Sequence, residues 1–401
     1  MLRQLAHLTR PLHDKPGALA IAVYADASRD TIAAAERGFE GVACVDDAAR
    51  ALSVLSDLWT ETRAPVVRAW ADGLLEFVLS MQDADGGFVN FVHDWSGARN
   101  EGGPTSIAGC GTFWQARGTH GLARAWLALG DVRAGLGTAR GMEKQRREPV
   151  AASIRAIHIL TAVELLRAGR MPELRVPLSS WCEELVACRQ GGVLFDDPDQ
   201  TEPHLWAHVQ EAALAEAGAY LGRDDLVAVA RESALRYLAP LIDGGFDLPT
   251  VQPDGVASAL LGVERLLRAT GEPRFAELAE RSRAWFYGRN PAGRDVYDRD
   301  AGRVSDGIDD GVLNDHSGAE SNIAGAQALF GELARSRVEV GRGDGAHAAA
   351  LVVRDRLDDL LARVHDEWPV LNDGLSDRPA AEDKHVERRR PAVLLRSAVD
   401  A

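Results

Sequence analysis

Two aspartates stand side by side where a helical pattern begins, in Gly41-Val42-Ala43-Cys44-Val45-Asp46-Asp47-Ala48-Ala49-Arg50. A helix macrodipole welcomes one carboxylate as a cap or first-turn residue, but one cap does not need two. Beside a like charge, one member of such a pair holds its proton to higher pH, which suits a general base or a water-positioning pair. A third carboxyl, Glu320, opens a helix after the long polar run through Tyr297-Asp298, Asp306-Gly307-Ile308-Asp309-Asp310-Gly311-Val312-Leu313-Asn314 and Ser317-Gly318-Ala319. A carboxyl at the end of such a loop, close to aromatic rings, is a natural proton donor. Glu320, Asp47 and Asp46 are therefore the candidate catalytic residues. The competing structural role for each is a helix-start carboxylate.

The residues able to hold a ligand cluster in the same polar runs. Asp83-Ala84-Asp85-Gly86-Gly87-Phe88-Val89-Asn90-Phe91 continues through Trp95 to Trp114, and aromatic planes beside Asn and Asp match a sugar ring's apolar face and hydroxyls. The same segment also reads as an Asp-Gly-Gly turn with aromatics packed beneath it. In His204-Leu205-Trp206-Ala207-His208-Val209-Gln210-Glu211, the helical spacing puts His204, His208 and Glu211 on adjacent turns. The HxxxH spacing lacks the inner Glu of the zinc protease pattern and no third ligand is marked, so no metal and no cofactor is expected. Candidate substrate contacts are Asp85, Asn90, Trp114, Trp206, His208, Tyr297, Asp306 and Asn314.

These side chains need a scaffold, and the apolar periodicity is helical. Ala48, Ala51, Leu52, Leu55, Leu58 and Trp59 make one buried face, and Val256, Ala259, Leu260, Val263, Leu266 and Leu267 repeat its spacing. Similar stripes near 65–81, 112–129, 150–168, 174–188, 204–221, 224–241, 273–287, 319–335 and 345–366 bring the total to about a dozen helices. Short turns alternate with long polar loops at 83–110 and 288–318, and loops of that length are usually functional. Asp85-Gly86-Gly87-Phe88 and Asp243-Gly244-Gly245-Phe246 each follow a helix, as a repeated hairpin unit requires. The expected fold is all-α, a single (α/α)6 toroid over 1–371. From 372 to 401 the chain is charged and lacks an apolar face, as a mobile tail would be.

Bulk properties narrow the partners. Sixty acidic against 45 basic residues give a net charge of -15, which disfavours nucleic acid or an anionic membrane as partner. The N-terminal segment has no apolar core of a secretion signal, and no run of roughly 18 uncharged apolar residues occurs, so a cytoplasmic protein is expected. Cys44, Cys110, Cys182 and Cys188 form no CxxC and read as reduced thiols. The Arg- and Ala-rich, Lys-poor composition suggests a GC-rich bacterial genome.

Val45-Asp46-Asp47-Ala48-Ala49-Arg50-Ala51, Asp85 through Phe91, and Asp306-Gly307 through Gly318-Ala319-Glu320-Ser321 together resemble the six-hairpin, glycosidase-like domains found alone or attached to bacterial glycosyltransferases. The likeness covers about residues 20–335. More distantly, Gly288-Arg289-Asn290-Pro291-Ala292-Gly293 followed by Asp306 to Asn314 and Glu320 is similar to the C-terminal signature of glycoside hydrolase family nine. That similarity implies a general acid at Glu320 and a base from the N-terminal aspartates, although Asp46 and Asp47 are adjacent where the endoglucanase pair is separated. The resemblance implies an inverting glycoside hydrolase acting on an oligosaccharide or polysaccharide. Its alternative is a non-catalytic glycan-binding toroid that assists a glycosyltransferase. A terpene-cyclase toroid is disfavoured, because Cys44 stands where the cyclase acid would be and Arg50 breaks the diphosphate-binding DDxxD spacing.

Overall fold

The computed structural model describes residues 1–340 apart from 108 and 110, and the backbone alone for 330–340. In chain order the helices are α1 (Leu2–Leu8), α2 (Val45–Thr62), α3 (Pro65–Ser80), α4 (Pro104–Ile107), α5 (Phe113–Leu129), α6 (Val132–Gln145) and α7 (Ala152–Arg167). They continue as α8 (Arg175–Ala187), α9 (Gln210–Leu221), α10 (Asp224–Ser233), α11 (Ala239–Asp243), α12 (Pro253–Thr270), α13 (Pro273–Trp285) and α14 (Ala319–Val340). The expected helix at 345–366 and the charged tail from 372 lie outside the described residues.

Six of these helices close a ring. α2 packs on α5, α5 on α7, α7 on α9, α9 on α12, α12 on α14, and α14 back on α2. Each has an outer partner: α3 backs α2, α6 backs α5, α8 backs α7, α10 backs α9, α13 backs α12, and the short α1 covers α14. The chain is an (α/α)6 toroid. An inner helix is covered on both sides, which is why α2 buries Ser53 and Ser56 as well as its leucine stripe. The α2–α5 contact depends on Gly121, where a β-carbon would stand 2.7 Å from the Ala49 carbonyl oxygen. No helix among the described residues is long and apolar enough to cross a membrane.

The inner helices run parallel, so their first turns share one mouth and their last turns share the opposite floor. Ion pairs fasten the floor from helix to helix. Arg124 of α5 reaches Asp57 of α2 and, at 3.2 Å, Glu164 of α7. Arg167 of α7 meets Glu216 of α9, which also takes Arg265 of α12 at 2.9 Å. Between floor and mouth lies a cavity of about 450 Å³, whose lining includes Leu58, Ile157, Leu160 and Leu260 and ends upward at Arg50, Arg117 and Asp254. These three charged residues are all buried and form a charged layer on the side of the mouth.

The two long polar loops are more ordered than their composition suggests. Phe91–Val92 pairs with Ala43–Cys44 in an antiparallel ribbon, Cys44 opposite Phe91. Gly307–Asp309 pairs with both Val312–Asn314 and Thr250–Val251. The first sheet ties the segment before α2 to the loop that leads to α5, and the second ties the segment before α12 to the loop before α14.

Candidate active site

Extended Cys44 leads directly into α2, and the amide N–H of Val45 donates to the Asn90 carbonyl at 2.8 Å. The Asn90 side-chain oxygen accepts from the backbone N–H of Asp46 at 3.2 Å, so Asn90 caps the helix from outside. That leaves the two aspartates free to face inward. Asp46 accepts from Arg117 Nη1 at 2.8 Å, and its other oxygen, Oδ1, has no hydrogen-bond partner. Asp47 is 4% exposed and accepts only a long bond, 3.4 Å, from the Cys44 thiol. Burial, then the charges of Asp46 and Glu320, push the Asp47 carboxyl up to about 7. Burial beside the same aspartates also drives the Cys44 thiol well above its usual range.

Arg50, one turn after Asp46, holds two more carboxyls. Its Nη2 pairs with Asp254 in the first turn of α12, and its Nη1 donates to Glu320 Oε1 at 3.0 Å in the first turn of α14. Both partners also depend on one turn, Trp206-Ala207. The Trp206 indole N–H donates to Glu320 Oε1 at 2.8 Å, and the Ala207 amide donates to Asp254 Oδ1 at 3.0 Å. Ala207 sits at φ +56°, a left-handed conformation that costs a residue with a β-carbon of order 1 kcal/mol or more. The strain is retained where it aims both donors.

The two carboxyls share Arg50 unequally. Burial works against charge on Asp254, but Arg50, Arg117, the Ala207 amide and Ser258 overrule it and hold its carboxyl below the ordinary range. Glu320 is raised, first by burial and then by the charge on Asp254, with Arg50, Arg117 and Trp206 opposing. Of the two, Asp254 gives up its proton more readily than Glu320. Glu320 is also the more accessible, with 35% of its side chain exposed.

Aromatic walls flank these groups. Phe113 meets Trp206 edge to face at 4.7 Å, and the Arg117 guanidinium lies 4.9 Å from each ring. Across the mouth, half-buried Tyr24 keeps its phenolic proton because of burial and the nearby Asp47, Glu320, Cys44 and Asp306. Asp306 accepts from the Gly318 amide at 2.7 Å and from Ser321 at 2.8 Å, so it fastens the start of α14 and with it Glu320. Burial raises its carboxyl as well.

Of the residues expected from the sequence, Glu320, Asp46, Asp47, Trp206 and Asp306 converge on this network, with Asn90 supporting it. Trp114 follows Phe113 and is half-buried, its indole nitrogen shielded and without a hydrogen-bond partner. The others have their contacts elsewhere. Asp85 caps its own turn through the Gly87 amide and pairs with Lys144 of α6. Asp243 is clamped in the same way by Arg274 and Arg281 of α13, so the repeated Asp-Gly-Gly-Phe marks a structural joint. Asn314 bonds Asp309 within its hairpin, and the Tyr297 ring lies 6.3 Å from that of Tyr287. The expected helix from 204 starts only at Gln210, because the Ala207 turn interrupts it. His208 is consequently in the core, bonded to Glu211 at 3.1 Å against the Tyr237 ring, and His204 pairs with Asp196.

Sequence reasoning passed over Arg50, Arg117, Asp254 and Tyr24 as site residues. Arg50 carried a usable signal, since it lies four residues after Asp46 amid Ala48, Ala49 and Ala51, where a solvent-facing arginine has no place. Asp254 and Arg117 carried none, because nothing local distinguishes them from a helix-start acid and a surface cation.

Compared with known proteins, the chain matches no family model and no curated protein by sequence. Solved structures do share its fold. Cellobiose 2-epimerase from Spirochaeta thermophila is similar at a TM-score of 0.60 and 15% identity, over 81% of this chain and 92% of that one. Cellobiose 2-epimerase from Bacillus thermoamylovorans gives 0.62 at 11% identity, over 83% and 96%. A family 76 glycoside hydrolase from a bovine Bacteroides thetaiotaomicron strain gives 0.57 at 12% identity, over 82% and 76%. At these identities the likeness is one of fold, and the shared fold is the (α/α)6 toroid.

Proposed function

We propose that the protein is a carbohydrate-active enzyme, a glycoside hydrolase acting on an oligo- or polysaccharide with inversion at the anomeric carbon. The observation that carries this reading is a pair of carboxyls at the mouth that share Arg50 and are shifted in opposite senses: Glu320 is raised and accessible, Asp254 lowered and buried. Glu320 would give its proton to the leaving glycosidic oxygen, and the Arg50 and Trp206 donors already in place would hold the resulting carboxylate. Asp46, 20% exposed and fixed by Arg117, takes the proton of the attacking water as its oxygen bonds the anomeric carbon. Buried Asp47, its carboxyl pushed up to about 7, stands next to it. The solved structures of the same fold include sugar epimerases and glycoside hydrolases, which supports a saccharide as the ligand class.

A second reading, a glycan-binding toroid that holds an acceptor for a glycosyltransferase, draws on the Phe113 and Trp206 wall and needs no proton balance. One experiment separates the two. Proton NMR follows the anomeric signals of neutral oligosaccharides with the wild type and with Glu320→Gln. Inverted product from the wild type alone supports the hydrolase. Broadening of sugar resonances by both proteins, with no new anomeric signal, replaces it with the binding module.

A further inference from the structure

Six large apolar side chains are conspicuously exposed among the described residues, and Phe39 is the one aromatic in that set, at 44%. A single exposed Phe ordinarily calls for no explanation. This one is packed against two other rings. Its ring stacks at 6.3 Å and 28° on Phe91, which is buried, and lies 6.3 Å from Tyr24 at 40°. The Phe39 amide donates to Ala34 at 3.1 Å, and the Ala35 amide donates to Gly41 at 3.1 Å. Gly41 sits at φ +94°, and a β-carbon there would lie 1.9 Å from the Val92 carbonyl oxygen, so only glycine lets this loop close onto the Phe91–Val92 strand. Below Phe39, Tyr24 packs on the cluster of Ala34, Cys44 and Phe91, and Cys44 in turn touches Asp47.

We infer that Phe39 and Tyr24 form a ledge on which a second pyranose ring of a neutral oligosaccharide stacks, beside the carboxyls that act on the first ring. The aromatic planes match the apolar C–H face of a sugar, and the Tyr24 hydroxyl supplies a donor for its rim. The chain's net charge of -15 disfavours an acidic sugar there. The chemistry of the first ring rests on the hydrolase reading; the binding of the second rests on the ledge alone.

The test uses glucose and mannose and their oligosaccharides of two to six units, with an oligogalacturonate as the acidic probe, titrated by NMR against the wild type, Glu320→Gln, Phe39→Ala and Phe39→Trp. Phe39→Ala is expected to bind the neutral oligosaccharides about three- to tenfold more weakly, leave the monosaccharides unchanged, and melt with the wild type; Phe39→Trp keeps the tight binding. The inference is overturned if Phe39→Ala loses nothing, if it weakens monosaccharides and oligosaccharides equally, if no neutral oligosaccharide binds, or if the galacturonate binds best. The two readings fail separately. A length-dependent loss in Phe39→Ala without any released sugar from the wild type keeps the ledge and removes the hydrolase.

Discussion

Replacing Asp47 with Asn should make the protein more stable, and only at neutral to alkaline pH. Asp47 is buried beside Asp46 with a thiol as its sole hydrogen-bond donor, and its carboxyl titrates near 7 where an ordinary aspartate titrates at 3.8. The folded state therefore holds a proton that the unfolded chain has already lost between those two values. Stability consequently falls as pH rises through that window, and above it the charge on Asp47 costs up to roughly 4 kcal/mol. Asparagine keeps the shape and an oxygen to accept the Cys44 thiol, and it never ionises. Every other titration is common to both proteins apart from groups coupled to Asp47, so the difference between them isolates this one. Urea unfolding followed by circular dichroism would show Asp47→Asn close to the wild type at pH 4 and more stable by about 2 to 4 kcal/mol at pH 8. A variant equally destabilised at both pH values, or a difference that does not grow with pH, would refute the claim that burial and the neighbouring charges keep Asp47 protonated.

Further outcomes follow from the same network. Arg50→Met leaves buried Asp254 with only the more distant Arg117, 3.9 Å away, as its cation and should cost about 3 to 5 kcal/mol, seen as a large fall in melting temperature with the helical signal intact below it. Trp206→Phe keeps the ring but removes the donor that favours ionised Glu320; the Glu320 carboxyl should rise further, and the alkaline limb of the pH–rate profile should move to higher pH. Glu320→Gln should reduce turnover by at least about 100-fold without weakening sugar binding, measured by the same anomeric NMR.

The toroid was legible because its inner and outer helices carry long apolar stripes whose spacing survives any tertiary context, as in α2 and α12. α6 was missed since glycines at 135, 137 and 141 dilute its stripe, although Asp131, which accepts from the amides of Arg133 and Ala134, was a readable cap. Glu320 stood out because it opens a helix after a long polar loop, and the paired aspartates because one cap does not need two carboxylates. The rest of the site is long-range. Arg50 meets partners 204 and 270 residues away, and such pairings are written in the closure of the ring rather than in any window of sequence. The turn at Ala207 was unreadable for another reason: alanine is a good helix former, and only the pull of Glu320 and Asp254 on its donors explains the left-handed backbone.

The buried layer of Arg50, Arg117 and Asp254 also gives the bore two unlike stretches. All three side chains line the cavity of about 450 Å³ together with Leu58, Ile157 and Leu260, and Arg50 at the same time donates to Glu320 at the mouth. For a ligand that enters at the mouth, this layer is a charged base, and the side chains deeper in the ring offer it a different, more apolar surface.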